Sequence, residues 1–186
     1  MAEFNSAENL NMNLAENLST DVMTGGLDER MFLYFRLSGS MKKADGVDII
    51  VSFLMESGVK MILKDLDQAL QRGAKIRILT GNYLGITQPS ALYLIKRKLG
   101  DQVDLRFYND PKRSFHPKAY MFHYATYSEM YIGSSNVSRS ALTSGIEWNY
   151  RFNSKTDPES YQKFYETFDT CIGFTKTKRI NESGRT

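Results

Sequence analysis

Apolar residues along this chain alternate between short unbroken runs and stripes of helical period, and that rhythm sets the expected elements. Residues 47–54, VDIIVSFL, form a β-branched apolar run and predict a buried strand. After Ser57-Gly58, Val59, Ile62, Leu63, Leu66 and Leu70 recur at the spacing that lines one face of a helix. Arg72-Gly73 closes it, a basic last turn followed by the glycine of a C-cap. KIRILT at 75–80 predicts the next strand, and 81–87 a loop beyond its carboxyl end. Pro89 suits the first turn of a second helix, built on Ala91, Leu92, Leu94, Ile95 and Leu99 and ended by Gly100. Residues 103–108 predict a third strand. Strand, helix, strand, helix, strand is the order of βαβ units.

The second half changes rhythm. Residues 118–124 and 129–132 predict short strands with a turn between them, and 146–152, IEWNYRF, another. Residues 136–142 read as one or two helical turns. Pro158 opens a helix with Tyr161, Phe164, Tyr165, Phe168 and Ile172 on one face. Upstream, 31–37 predicts a short helix running toward Lys43. The first 27 residues, rich in Asn, Glu and Ser, read as a flexible arm with at most a short strand at 12–18. The expectation is a single α/β domain over 28–174. Its sheet is expected to be mixed and mostly parallel, with helices on both faces, followed by a basic tail or linker at 175–186. No internal repeat is visible.

A length of 186 residues is ample for one buried core. A lone cysteine, Cys171, excludes an intrachain disulfide and fits a reducing compartment, so the expected location is cytoplasmic. No stretch is apolar enough to span a bilayer, and the N-terminus does not read as a signal peptide. The net charge of +3 points toward polyanions, but residues 175–186 account for it, with Lys176, Lys178, Arg179 and Arg185 against Glu182. The remainder is balanced, so polyanion binding needs a local cluster or the tail. That tail reads equally well as a solvated end.

The candidate chemistry is local. His116 precedes Pro117 at the mouth of a predicted strand, and Lys118 lies two residues on, a spacing that points both side chains the same way. An imidazole can act as nucleophile or proton carrier near neutral pH, and a lysine beside it can hold phosphoryl oxygens. Gly133-Ser134-Ser135-Asn136 follows an apolar strand. Ser and Asn there serve either as a helix N-cap or, with the helix N-terminus, as an anion cradle. Glu147 sits in an otherwise apolar strand. It is either satisfied by a neighbour or orients an imidazole. Nothing of the HExxH or CxxC kind is present, so no metal ligand set and no cofactor is expected.

HPK at 116–118, GSSN at 133–136 and Glu147 together resemble the phospholipase D-like superfamily. The likeness extends over about residues 47–152. It is closest in flavour to domains fused at the N-terminus of superfamily II helicases and restriction-type proteins, through VSFLMESGV, RILTGNYLGITQPSAL, FHPKAYMF and IGSSNVSRSALTSGIEWN. The resemblance implies a metal-independent phosphodiesterase, a nuclease, with His116, Lys118, Ser134, Asn136 and Glu147 as its catalytic set. It also implies a phosphohistidine intermediate. One position departs: five residues after the lysine, where the family carries Asp, this chain has His123. On a regular strand His123 faces away from Lys118, and it is expected to be structural.

The chain carries one such motif. The resemblance to single-motif nucleases of this class implies a homodimer with both His116 residues at the shared interface; the physical reason is that one histidine does not readily serve as both nucleophile and leaving-group acid. DNA is the expected substrate, with a helicase domain C-terminal to this segment as a possible partner and no membrane. Arg113, Thr87 and Arg139 are substrate-binding candidates, with Lys112, Tyr83 and Gln88 beside them. Trp148 and Tyr150 are expected to pack rather than to stack on bases. The competing readings are a non-catalytic nucleic-acid-binding or dimerisation module that retains the phosphate pocket, a lipid-headgroup phosphodiesterase and a plain structural domain.

Overall fold

The computed structural model describes residues 20–174 and 176–180; the strand expected at 12–18 lies outside them. Eight strands form one sheet: β1 (Val22–Gly25), β2 (Gly46–Val51), β3 (Lys75–Gly81), β4 (Val103–Tyr108), β5 (Lys118–His123), β6 (Ser128–Gly133), β7 (Ile146–Asn153) and β8 (Thr177–Arg179). Their spatial order is β1-β7-β6-β5-β2-β3-β4-β8. Among the described residues five α-helices accompany them: α1 (Leu33–Met41), α2 (Glu56–Gln71), α3 (Pro89–Leu99), α4 (Arg139–Leu142) and α5 (Pro158–Ile172).

The sheet is mixed but mostly antiparallel, which corrects the expected mostly parallel arrangement. Only β2–β3 and β3–β4 pair in parallel. The other five pairings, β1–β7, β2–β5, β4–β8, β5–β6 and β6–β7, are antiparallel. The reason is connectivity. A parallel neighbour needs a helical crossover into the adjacent strand, and only α2 and α3 make one; α1 and α5 also cross the sheet, but they join strands that are not neighbours, β1 to β2 and β7 to β8. β5–β6 is a hairpin. β1 and β8 then add one antiparallel strand at each edge. They fall in the segments expected as arm and tail.

β2 lies between β3 and β5 and is buried at every position. Its alternate residues feed two cores. Val47, Ile49 and Val51 face α1–α3, with Leu37, Leu66, Ile95, Tyr120 and Phe122 in the same cluster. Ile50 faces α5, with Leu79, Met121, Met130, Phe152, Tyr161 and Phe168. Helices therefore cover both faces. The carboxyl ends of β2, β3 and β6 and the amino ends of β5 and β7 share one end of the sheet, and every motif residue lies in or beside the loops there.

Trp148 and Tyr150 do not pack as expected. They are 75% and 52% exposed, because β7 runs past the cover of α5 at this end.

Candidate active site

Residues 109–117 cross the open end of the sheet and deliver His116 two residues before β5 begins. His116 is exposed, whereas Lys118, the first residue of β5, is 7% exposed. The Lys118 ammonium lies 2.9 Å from Nδ1 and 3.0 Å from Nε2 of the imidazole. It also donates to the His116 carbonyl at 2.9 Å and to Ser52 Oγ at 2.9 Å. Among the described residues no carboxylate forms an ion pair with it. Burying a cation without a counter-ion is costly. Here neutral acceptors hold it.

The electrostatics favour a neutral imidazole. Desolvation lowers the His116 pKa below its ordinary value, and the Lys118 charge lowers it further. Lys118 is itself lowered by desolvation, with Glu147 pulling the other way. Tyr83 lies against the imidazole, ring centroids 4.4 Å apart. It is held there by a tight turn in which Leu84 has φ of +51°, a left-handed conformation uncommon outside glycine.

The GSSN segment leaves β6 along β7. A Cβ on Gly133 would lie 2.1 Å from the Trp148 carbonyl oxygen, so only glycine fits. The Ser134 N–H donates to the Trp148 carbonyl at 3.0 Å, and the Trp148 N–H donates to Ser134 Oγ at 3.0 Å. Ser134 Oγ in turn donates to Glu147. Glu147 thus fixes the Ser134 hydroxyl; no bond to His116 of the same chain accompanies it. Ser135 points inward, its carbonyl accepting from Tyr120 and its hydroxyl from Asn149. Asn136 is 5% exposed, and its Oδ1 accepts the Phe53 N–H at 3.1 Å. That bond fixes the amide orientation and leaves its NH2 as a donor.

Two contributors escape a sequence reading. Ser52, fully buried at the end of β2, bridges Lys118 and the Pro117 carbonyl. Its only sequence signal is a hydroxyl closing an apolar strand. Asn149, a buried residue on the same face of β7 as Glu147 and Arg151, clamps Ser135. Gly58 at the start of α2 lets that helix approach the loop after Asn136, where a Cβ would lie 2.4 Å from the Val137 carbonyl carbon.

The substrate candidates divide. Arg113 is exposed and lines a cleft of about 400 Å3 together with Tyr83, beside His116. Arg139 is exposed at the start of α4. Thr87 is 8% exposed, and its hydroxyl donates to the Gly81 carbonyl at 2.6 Å and accepts from the Leu54 N–H at 3.3 Å. It stitches the ends of its own loop. Gln88 likewise is engaged, accepting the Glu56 N–H at the start of α2.

His123 faces α5, on the opposite side of β5 from Lys118 and about 17 Å away along a strand rising roughly 3.3 Å per residue. Its Nε2 lies 2.8 Å from Asp48 Oδ2. Asp48 also accepts two bonds from Arg77, both 2.7 Å, and Arg77 reaches Asp169 on α5 at 2.8 Å. Burial pushes the Asp48 carboxyl up, but the bonds from His123 and Arg77 outweigh it and hold it below its ordinary value. The position where the family carries Asp is thus part of a polar tie between sheet and helix, remote from His116. Asp48 supplies the carboxylate from the neighbouring strand.

Residues 39–172 match the family model described as "Cardiolipin synthase, PLD-like domain". The chain belongs to this phospholipase D-like family. Solved structures agree on the fold. Nuc from Salmonella typhimurium, described as a phospholipase D family member, is 17% identical with a TM-score of 0.60, over 79% of this chain and 90% of that one. NucT from Helicobacter pylori is 13% identical with a TM-score of 0.59, over 82% and 97%. Polyphosphate kinase from Porphyromonas gingivalis is 15% identical with a TM-score of 0.65, over 89% of this chain but 24% of the kinase. A search of curated sequences found no significant match. Among the described residues no cluster of three or more His, Cys, Asp or Glu is arranged to hold a metal ion, and no helix is long and apolar enough to cross a membrane.

Proposed function

We propose that this chain hydrolyses phosphodiesters in DNA by a metal-independent route, as a two-fold pair of copies that each contribute one motif. The observation that carries the reading is Lys118: a buried ammonium with no carboxylate partner among the described residues, touching a neutral imidazole at a loop mouth. That arrangement attracts a phosphoryl group and presents a nucleophile to it.

In this reading a lone pair of the His116 imidazole attacks phosphorus. The P–O bond to the leaving group breaks, and the partner's His116, as imidazolium, gives the departing oxygen its proton. The partner's His116, now neutral, takes a proton from water, whose oxygen attacks the phosphohistidine and breaks the P–N bond. Lys118 and the Asn136 NH2 of both copies hold the nonbridging oxygens as charge builds on them. Ser134, fixed by Glu147, adds a hydroxyl donor. Arg113 at the adjoining cleft and Arg139 meet the flanking backbone.

DNA is favoured over other diesters by the likeness of 51–59, 77–92 and 132–149 to helicase-linked nuclease domains, where a translocase in the same protein would deliver the strand. The competing reading is a non-catalytic nucleic-acid-binding or dimerisation module. His123 in place of the family Asp and the absence of a basic excess outside residues 175–186 favour that reading, but His123 stands on the opposite side of the strand from Lys118. The test is a covalent trap. Labelled DNA mixed with the protein and quenched in alkaline SDS should migrate with the wild-type chain and not with His116→Ala. Trapping by both would contradict the role of His116.

A further inference from the structure

The cleft beside His116 is larger than the chemistry at Lys118 requires. It holds about 400 Å3 and opens between the turn after β3 and the segment that delivers His116. Tyr108 and Phe115 form its floor, 4% and 8% exposed, with ring centroids 4.8 Å apart and planes nearly parallel. Phe115 reaches that position because residue 81 is glycine; a Cβ there would lie 2.5 Å from the ring. Polar groups line the walls. The Lys112 N–H donates to the Asp110 carboxylate at 2.9 Å and orients it. Asn82 and Asn109 spend no side-chain hydrogen bond on another described residue. At the mouth, Tyr83 both touches the His116 imidazole and lines the cleft. Leu84, on the same turn, lines it too and is 79% exposed.

We propose that this cleft receives one unpaired nucleobase next to the scissile phosphate, so that the site acts on single-stranded DNA and reads the base it holds; the inference rests on the phosphodiesterase reading above and names its substrate class. A cleft of this size takes one small ligand. That ligand is not the phosphate, which belongs at Lys118, because the two charged side chains lining the cleft, Asp110 and Arg113, cancel. The cleft offers instead aromatic surface to stack on, and carboxylate and amide groups that match the amino, N–H and carbonyl groups of a base edge. In a duplex those edge groups are taken up by the complementary strand and turned toward the helix axis. In a single strand they are free to enter. Tyr83 sets the register: its ring meets the imidazole, ring centroids 4.4 Å apart, so a base stacked on it belongs to a nucleotide that carries the phosphate under attack. Arg113 remains at the rim for the backbone.

The experiment compares three substrates with the full wild-type chain: an end-labelled single strand, its duplex, and the same strand with an abasic residue stepped through the positions around the cleaved bond. The single strand should be cleaved at least about 10-fold faster than the duplex. An abasic residue at one position beside the cleaved bond should raise KM by about 10-fold, the scale of one base–aromatic stack, and abasic residues farther along the strand should not. Asn109→Ala and Asp110→Asn, with unchanged far-ultraviolet circular dichroism, should each raise KM on the intact strand and raise it less on the strand that lacks that base. Equal cleavage of single strand and duplex overturns the proposal. So does indifference to an abasic residue at every flanking position, or variant losses of equal size with and without the base. If the wild type cleaves none of the substrates, fluorescence anisotropy of the same labelled strands decides. Weaker binding of one abasic strand would leave this inference standing and overturn the catalytic reading, whereas binding indifferent to the base would overturn this inference as well.

Discussion

The ammonium of Lys118 lies 2.9 Å from Nδ1 of His116, and both groups have pKa values below their ordinary ones, chiefly through desolvation. The pair is therefore poised with the imidazole neutral and the lysine short of a counter-charge. An imidazole lowered below 6.5 is mostly deprotonated, and so nucleophilic, above that value, whereas the leaving-group step needs the partner's His116 protonated. The acid limb of kcat/KM should fall below pH 6.5. With only two histidines in the chain, proton NMR can follow each. Lys118→Met removes the second of the two lowering causes, so the His116 titration should move upward toward 6.5. A titration of wild-type His116 above 6.5 would contradict the account. The same substitution should reduce cleavage by about 100-fold or more, the usual scale for losing one preorganised charge partner.

Ser52→Ala tests the residue that sequence reading missed. It removes a buried acceptor from the Lys118 ammonium, which should cost about 1–3 kcal/mol in denaturant unfolding. Cleavage should fall by roughly 10-fold, a loss of order 1.4 kcal/mol in transition-state stabilisation. Unchanged stability and unchanged rate would remove Ser52 from the site.

Gly133→Ala places a methyl group 2.1 Å from the Trp148 carbonyl oxygen. Backbone must move to admit it, at a cost of about 1–3 kcal/mol, and the displaced Ser134 should carry activity down with it. A variant as stable as wild type would show that the turn is looser than the geometry implies.

His123→Asp restores the family residue and should nonetheless destabilise the fold. The new carboxylate would face Asp48, now bonded to the imidazole at 2.8 Å, and like charges in a buried site repel. A loss of about 1–3 kcal/mol is expected, relieved in the His123→Asp, Asp48→Asn double variant as a non-additive term. Metal-free cleavage by His123→Asp below its unfolding midpoint should match wild type, because position 123 is remote from His116. A selective loss of activity without loss of stability would contradict that separation.

The apolar run at 47–54 and the alternating apolar positions of 75–80 and 103–108 place β2, β3 and β4, because a strand must cover a core whatever its partner. Pairing direction was not legible in the same way. It depends on which strands meet in space, and the βαβ rhythm of the first half does not extend past β4. The site divides along the same line. His116, Lys118 and the GSSN segment announce themselves by chemistry within a few residues. Ser52 and Asn149 act through contacts 66 and 14 residues away, and nothing local marks them. Thr87 shows the converse: a hydroxyl in a loop at the right end of the sheet, but consumed by Gly81 and Leu54. Trp148 and Tyr150 lie on the apolar face of an alternating strand, yet burial is set by how far α5 reaches, which no strand pattern contains.

The most direct test of the central claim is cleavage of labelled DNA in excess EDTA by wild type and His116→Ala, purified in parallel. The account predicts cleavage by the wild type that EDTA leaves intact and that falls by at least about 1,000-fold in the variant, in keeping with loss of a nucleophile. Equal cleavage by both proteins, or wild-type cleavage abolished by EDTA, would contradict it.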